Sequence, residues 1–92
     1  SNLSTAGRLI GYVSDTTSIA IDGAQVTILA ADTIYTTSFT DGTGTYELLG
    51  VEAGTYDVQF AKEGYQANTF EAVEIVAGNF TTINAELIPN ME

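Results

Sequence analysis

Ninety-two residues allow one domain with one hydrophobic core and leave no room for a second. A hydrophobic content of 45% fits a folded chain, so the formal charge of −10, twelve acidic residues against Arg8 and Lys62, does not signal disorder. That charge rules out the clustered basic surface on which nucleic acids and anionic membranes dock, and the lack of cysteine and histidine rules out disulfides, thiolate chemistry, the usual nucleophile and base pairs and most transition-metal sites.

Residues 1–6 read as a cloning remnant or flexible lead-in, without the basic and then apolar pattern of a signal peptide. Leu9, Gly11 and Val13 then alternate with Ile10 and Tyr12, the period of a strand with one buried face. This turns Ile10 and Tyr12 outward as an exposed apolar pair, a candidate contact surface for a neighbouring domain or, less directly, for a glycan. In the second strand Val26, Ile28 and Ala30 alternate with Thr27 and Leu29, and Tyr35 to Thr40 makes the third. Asp41-Gly42-Thr43-Gly44 suits a tight hairpin, because glycine takes positive φ without steric penalty and Asp can bond the turn backbone. Thr45 to Leu49 forms the fourth strand, and the chain reverses between Gly50 and Gly54.

Tyr56, Val58 and Phe60 alternate with Asp57 and Gln59 in the fifth strand, Thr69 to Val76 forms the sixth, and Ala77-Gly78-Asn79 turns the chain again. Ile83, Ala85 and Leu87 alternate with Thr82, Asn84 and Glu86 in the seventh; Pro89 cannot continue a central strand, so residues 89–92 read as a tail. No window of three helical turns escapes β-branched residues and glycine, and no apolar run approaches the ~20 residues of a membrane span. Seven short strands at this spacing predict a β-sandwich over residues 7–88. Tyr46, Tyr56, Phe60 and Tyr65 fall on core positions, whereas Phe39, Phe70 and Phe80 are assigned to neither face. The many strand threonines read as β-formers on solvent faces, with a polar binding face as the alternative.

Only carboxylate and hydroxyl chemistry remains. If successive strands simply reverse, Asp15, Asp22, Asp41 and Glu63 fall in loops at one end, where they are weak candidates for calcium, a cation that takes oxygen ligands alone. Solvated carboxylates that start turns are the alternative, and the Asp41 loop lacks the alternating acidic positions of calcium loops. A thin sandwich offers little cleft for two catalytic carboxylates ~5 to 9.5 Å apart, so no catalytic or cofactor-binding residue is assigned and no enzyme is expected.

Leu9-x-Gly11-x-Val13-x-Asp15, Asp22-Gly23-Ala24-x-Val26-x-Ile28, Thr40-Asp41-x-x-Gly44-x-Tyr46-x-Leu48, Gly54-x-Tyr56-x-Val58-x-Phe60 and Gly64-Tyr65 follow one another along the chain. In that order they resemble the carboxypeptidase regulatory-like domains, which are related to the B-type repeats of Gram-positive adhesins. The resemblance implies an all-β, seven-stranded Greek-key β-sandwich of the prealbumin-like (transthyretin-like) kind. It also implies a non-catalytic accessory module, found beside peptidases, on adhesins and at the front of outer-membrane receptors. Ala20 stands where the family often carries proline. The adhesin repeats can join a first-strand lysine to a last-strand asparagine. Here Asn84 is present, but Arg8 replaces a lysine near the start and Lys62 belongs to the Gly64-Tyr65 corner, so no such bond is expected.

The expected function is therefore a spacer or docking domain of a larger exported bacterial protein, placed outside the cell, on its surface or in the periplasm. Its expected partners are neighbouring domains of the same polypeptide or another surface protein. The alternatives are a carbohydrate-binding module and a regulatory domain attached to a peptidase.

Overall fold

A computed structural model describes residues 6–90. Seven strands cover most of them: β1 (Ala6–Ser14), β2 (Gln25–Ala30), β3 (Thr33–Phe39), β4 (Thr45–Glu52), β5 (Gly54–Ala61), β6 (Asn68–Ile75) and β7 (Phe80–Glu86). They form a three-stranded sheet in the order β4-β1-β7 and a four-stranded sheet in the order β3-β2-β5-β6, the all-β sandwich expected from the alternation. All pairings are antiparallel except β1 with β7, which run parallel from Arg8 opposite Phe80 to Ser14 opposite Glu86.

The alternating apolar residues meet between the sheets. Leu9 and Val13 of β1, Val26 and Ile28 of β2, Val58 and Phe60 of β5, and Leu87 just beyond β7 are all fully buried. Tyr46 and Tyr56 join them as expected, and Tyr65 packs against the cluster half-buried. Tyr46 meets Phe60 edge-on across the core at 5.5 Å, and Phe60 meets Phe70 in the same manner at 5.6 Å. Burial pushes the Tyr46 phenol well above its ordinary range, so it stays protonated and donates to the carbonyl of Ile83 at 2.7 Å. That bond passes over β1 at Gly11. A Cβ on Gly11 would stand 1.8 Å from the Ile83 oxygen and 2.7 Å from the Tyr46 hydroxyl, so the crossing admits no side chain.

Several turns differ from the sequence expectation. The Asp41 turn closes as expected, with Gly44 N donating to Asp41 O at 2.9 Å and Gly44 at φ 78°. It makes no hairpin, however, because the carbonyl of Gly44 accepts from Val13 N at 2.8 Å and so draws β4 onto β1 in the opposite sheet. Gly50 lies within β4 instead of starting a reversal. Leu49 and Gly50 together oppose Arg8, a bulge that Gly50 accommodates at φ 70°, and the strand continues to Glu52, leaving Ala53 as the whole link to β5. The β2–β3 hairpin turns on Ala31-Asp32, both at positive φ (52° and 68°); Asp32 tolerates that conformation, but Ala31 carries no turn signal. Pro89 bridges to Tyr65, and Asn90 N donates to Gly64 O at 2.9 Å, so residues expected to begin a tail pair with the β5–β6 corner.

Tyr46→Phe removes the hydroxyl bond and is expected to destabilise the fold by about 1 to 2 kcal/mol in urea unfolding. Gly11→Ala must displace backbone and is expected to lose about 3 kcal/mol, the upper end for overpacking. A Gly11→Ala protein as stable as Tyr46→Phe would contradict the close crossing.

Candidate functional site

The loops carrying Asp15, Asp22, Asp41 and Glu63 do share one end of the sandwich. Thr40 ties two of them together: its buried hydroxyl donates to Ile21 O at 2.6 Å and accepts from Ala24 N at 2.8 Å, while Gly23 N donates to Thr40 O at 3.0 Å. The third loop joins through Lys62, whose ammonium lies 3.1 Å from where a Gly23 Cβ would stand. The carboxylates themselves do not gather. Among the described residues no group of three or more acidic side chains is placed to hold a metal ion.

Two of the four are occupied within their own turns. Asp15 Oδ1 accepts from Thr17 N (2.8 Å), Thr17 Oγ1 (2.8 Å) and Ile19 N (3.0 Å). Asp41 Oδ1 repeats the arrangement with Thr43 N (2.9 Å), Thr43 Oγ1 (2.7 Å) and Thr45 N (3.1 Å). These donors favour the ionised form and hold both carboxyls below the ordinary value, led by the Ile19 amide for Asp15 and the Thr43 hydroxyl for Asp41. Asp22 and Glu63 are exposed.

Ile10 and Tyr12 lie on the outer face of the three-stranded sheet, opposite buried Leu9 and Val13, but they are half-buried and do not form an exposed pair. The reason is that β1 is the central strand: Glu47 and Thr82 flank Ile10, and Thr45 and Asn84 flank Tyr12. The exposed apolar side chains of this face are Leu49 and Phe80, each 63% exposed, on the two sides of Arg8. With Ala6, Gly7, Gly50, Gly78 and Asn79 they border an open depression of about 520 Å³. Arg8 reaches Glu47 at 3.8 Å, a surface pair that adds little stability and leaves the guanidinium half-exposed.

A second depression, about 430 Å³, lies at the loop end of the other sheet and is lined by Gly23, Gln25, Phe39, Ala61, Lys62 and Glu63. Phe39 is 59% exposed there. The sequence reading assigns Phe80 to neither face and does not single out Leu49, although parity carries the signal for both: inward Tyr46 and Leu48 turn Leu49 outward, and inward Ile83 turns Phe80 outward. Phe39 follows a bulged strand whose parity does not carry through.

An open two-sheet sandwich with a parallel pair between its first and last strands, and with shallow depressions on its faces, defines a prealbumin-like β-sandwich module. The chain belongs to the carboxypeptidase regulatory-like domain family, whose model matches residues 8–88. No curated protein sequence matches it. Among solved structures it is similar to a chain of a type II cohesin–X-dockerin complex from Acetivibrio cellulolyticus, with a TM-score of 0.73 and 22% identity over 90% of this chain and 58% of that one. It is also similar to the minor pilin of Streptococcus agalactiae, with a TM-score of 0.72 and 15% identity over 98% of this chain and 47% of that one. A Bacteroides uniformis protein to which carbohydrate binding is ascribed gives 0.72 and 20% identity over 89% and 41%. The fold also occurs within an enzyme: a catechol 1,2-dioxygenase variant of Acinetobacter radioresistens gives 0.65 and 15% identity over 95% and 53%. At these identities the likenesses show fold alone, and this chain spans less than two-thirds of each of those proteins.

In the unfolded chain Asp15 and Asp41 return to their ordinary value of 3.8, so their ionised forms stabilise the fold above that pH. The contribution fades as pH falls through the lower folded values. Asn at both positions keeps an acceptor oxygen but cannot titrate. In high salt, which screens the change in net charge, the melting-temperature advantage of the wild type over Asp15→Asn/Asp41→Asn is expected to shrink below about pH 4. A gap independent of pH would show that the turns do not depend on ionisation.

Proposed function

We propose that this module is a non-catalytic spacer and docking domain of a larger exported bacterial protein, acting outside the cell, on its surface or in the periplasm. The outer face of the three-stranded sheet is its contact surface. The observation that carries this reading is the pair Leu49 and Phe80, two large apolar side chains left 63% exposed on either side of Arg8 on an otherwise acidic protein. A neighbouring domain that covers them also covers half-buried Ile10 and Tyr12, and finds in Arg8 a cation to pair with. The pilin and cohesin-complex likenesses support a role in protein assembly, and the lack of histidine and cysteine supports the non-catalytic part. Hydrogen exchange on the full polypeptide is expected to show protection around Leu49 and Phe80 that the isolated module lacks. Leu49→Ser/Phe80→Ser should abolish that difference while leaving the module's melting temperature within a few degrees, the usual result at exposed positions. Equal exchange in the two contexts would remove the docking surface.

Glycan binding is a second reading, favoured by exposed Phe39 beside the amide of Gln25, the ammonium of Lys62 and the carboxylate of Glu63. An exposed ring with polar groups at its rim is the equipment for stacking a sugar and bonding its hydroxyls. In affinity electrophoresis over a panel of neutral polysaccharides, retention by one of them should weaken about tenfold in Phe39→Ala. No retention on any member of the panel would eliminate this reading.

A further inference from the structure

We infer that the module is a load-bearing element, with the parallel β1–β7 ladder as its mechanical clamp. The inference deepens the spacer reading and takes its biological meaning from it, but the mechanical property belongs to the fold itself. Because β1 and β7 run parallel with Arg8 opposite Phe80 and Ser14 opposite Glu86, the chain enters the sandwich at one end and leaves β7 at the other. Tension on the two ends therefore pulls the neighbouring strands in opposite directions along their length. The interstrand N–H···O=C bonds of a parallel pair are evenly spaced and slant from one strand to the other, so sliding loads the bonds of the ladder together, whereas peeling loads them one after another.

Both ends of the clamp are reinforced. At the entry end Arg8 N donates to Asn79 O at 3.0 Å and Gly78 N donates to Ala6 O at 3.0 Å. At the exit end Leu87 N donates to Ser14 O at 2.8 Å, Gln66 N to Ile88 O at 2.8 Å and Asn90 N to Gly64 O at 2.9 Å. The last two bonds tie the departing chain to the β5–β6 corner, so load arriving there is divided between the two sheets. β1 is also held on its other side by β4, from Ala6 opposite Glu52 to Tyr12 opposite Thr45. Freeing β1 by sliding means breaking ladders on both of its edges together. The core adds a stop: Gly11 lies beneath the bond from Tyr46 to Ile83, and axial slip of β1 would bring a residue with a Cβ under that bond.

Forced unfolding is governed by the barrier along the pulling direction and not by the equilibrium free energy. One protein pulled in two directions therefore tests the clamp at constant stability. The chain has no cysteine, so a single Cys introduced at exposed Ala77 (Ala77→Cys), in the β6–β7 turn, gives a unique handle. In single-molecule force spectroscopy, pulling between the two termini loads the β1–β7 ladder in shear. Pulling between the N-terminus and residue 77 peels the same two strands apart from the Arg8 and Phe80 end. The shear direction is expected to need a several-fold higher unfolding force than the peeling direction at the same loading rate. Equal forces, or a lower force in shear, would overturn the clamp while leaving the docking surface of the spacer reading untouched. Should the Ala77 variant lose stability in chemical denaturation, exposed Val76 takes the handle instead, with the same expectation.

Discussion

The fold depends on one crowded crossing, the bond from the buried hydroxyl of Tyr46 to the carbonyl of Ile83 over the backbone of Gly11. It fixes β4 and β7 at a set distance on the two sides of β1, a job that ladder bonds alone leave to sheet twist. The same tyrosine ring reaches across the core to Phe60, and Phe60 continues the contact to Phe70, so a run of three rings links β4, an edge strand of one sheet, to β6, an edge strand of the other. A phenol can serve both purposes because it offers a large apolar body and one polar tip. Glycine at position 11 is therefore a matter of space, not of backbone freedom.

The two ends of the sandwich solve the problem of buried polar groups locally. At one end Thr40 satisfies Ile21 and Ala24 with a single hydroxyl. At the other, Tyr35 stacks on Tyr56 at 5.4 Å, and the pair brackets Glu52: its amide donates to the Tyr35 hydroxyl at 3.1 Å and its carbonyl accepts from Tyr56 at 2.6 Å. Among the described residues no buried side-chain nitrogen or oxygen lacks a partner. Asp15 and Asp41 are likewise engaged in their own turns. Large apolar side chains nonetheless stay exposed, Leu49 and Phe80 on one sheet and Phe39 on the other among them.

Strand identity and facing were legible because a period of two survives in the residues that must be buried: Leu9, Val13, Val26, Ile28, Val58, Phe60, Ala85 and Leu87 all take the side that alternation assigns them. Sheet membership was less legible. Asp41-Gly42-Thr43-Gly44 encodes a tight turn, but whether the chain returns beside β3 or crosses to β1 is decided by Val13, twenty-eight residues earlier, whose amide takes the Gly44 carbonyl. The Ala31-Asp32 turn was illegible for another reason. Tertiary pairing of β2 with β3 holds an alanine at positive φ, which local preference opposes by about 1 to 2 kcal/mol. The surface residues follow the same logic: Ile10 and Tyr12 were given the right face and the wrong exposure, because parity reports direction while exposure depends on which strand is central.

The pairing of β1 with β7 also sets the order of assembly. The first strand to be synthesised finds its parallel neighbour only in the last one, across an intervening chain that runs from Asp15 to Asn79. Closing a ladder over such a separation makes the fold non-local and its formation slow beside that of a protein built from neighbouring hairpins. Until Glu86 is available, β1 has one bare edge and its buried face lacks Ile83, Ala85 and Leu87. The four-stranded sheet and the β1–β4 pair can form without β7, but the three-stranded sheet stays unfinished, and the core open on that side, until the last strand of the module has been made.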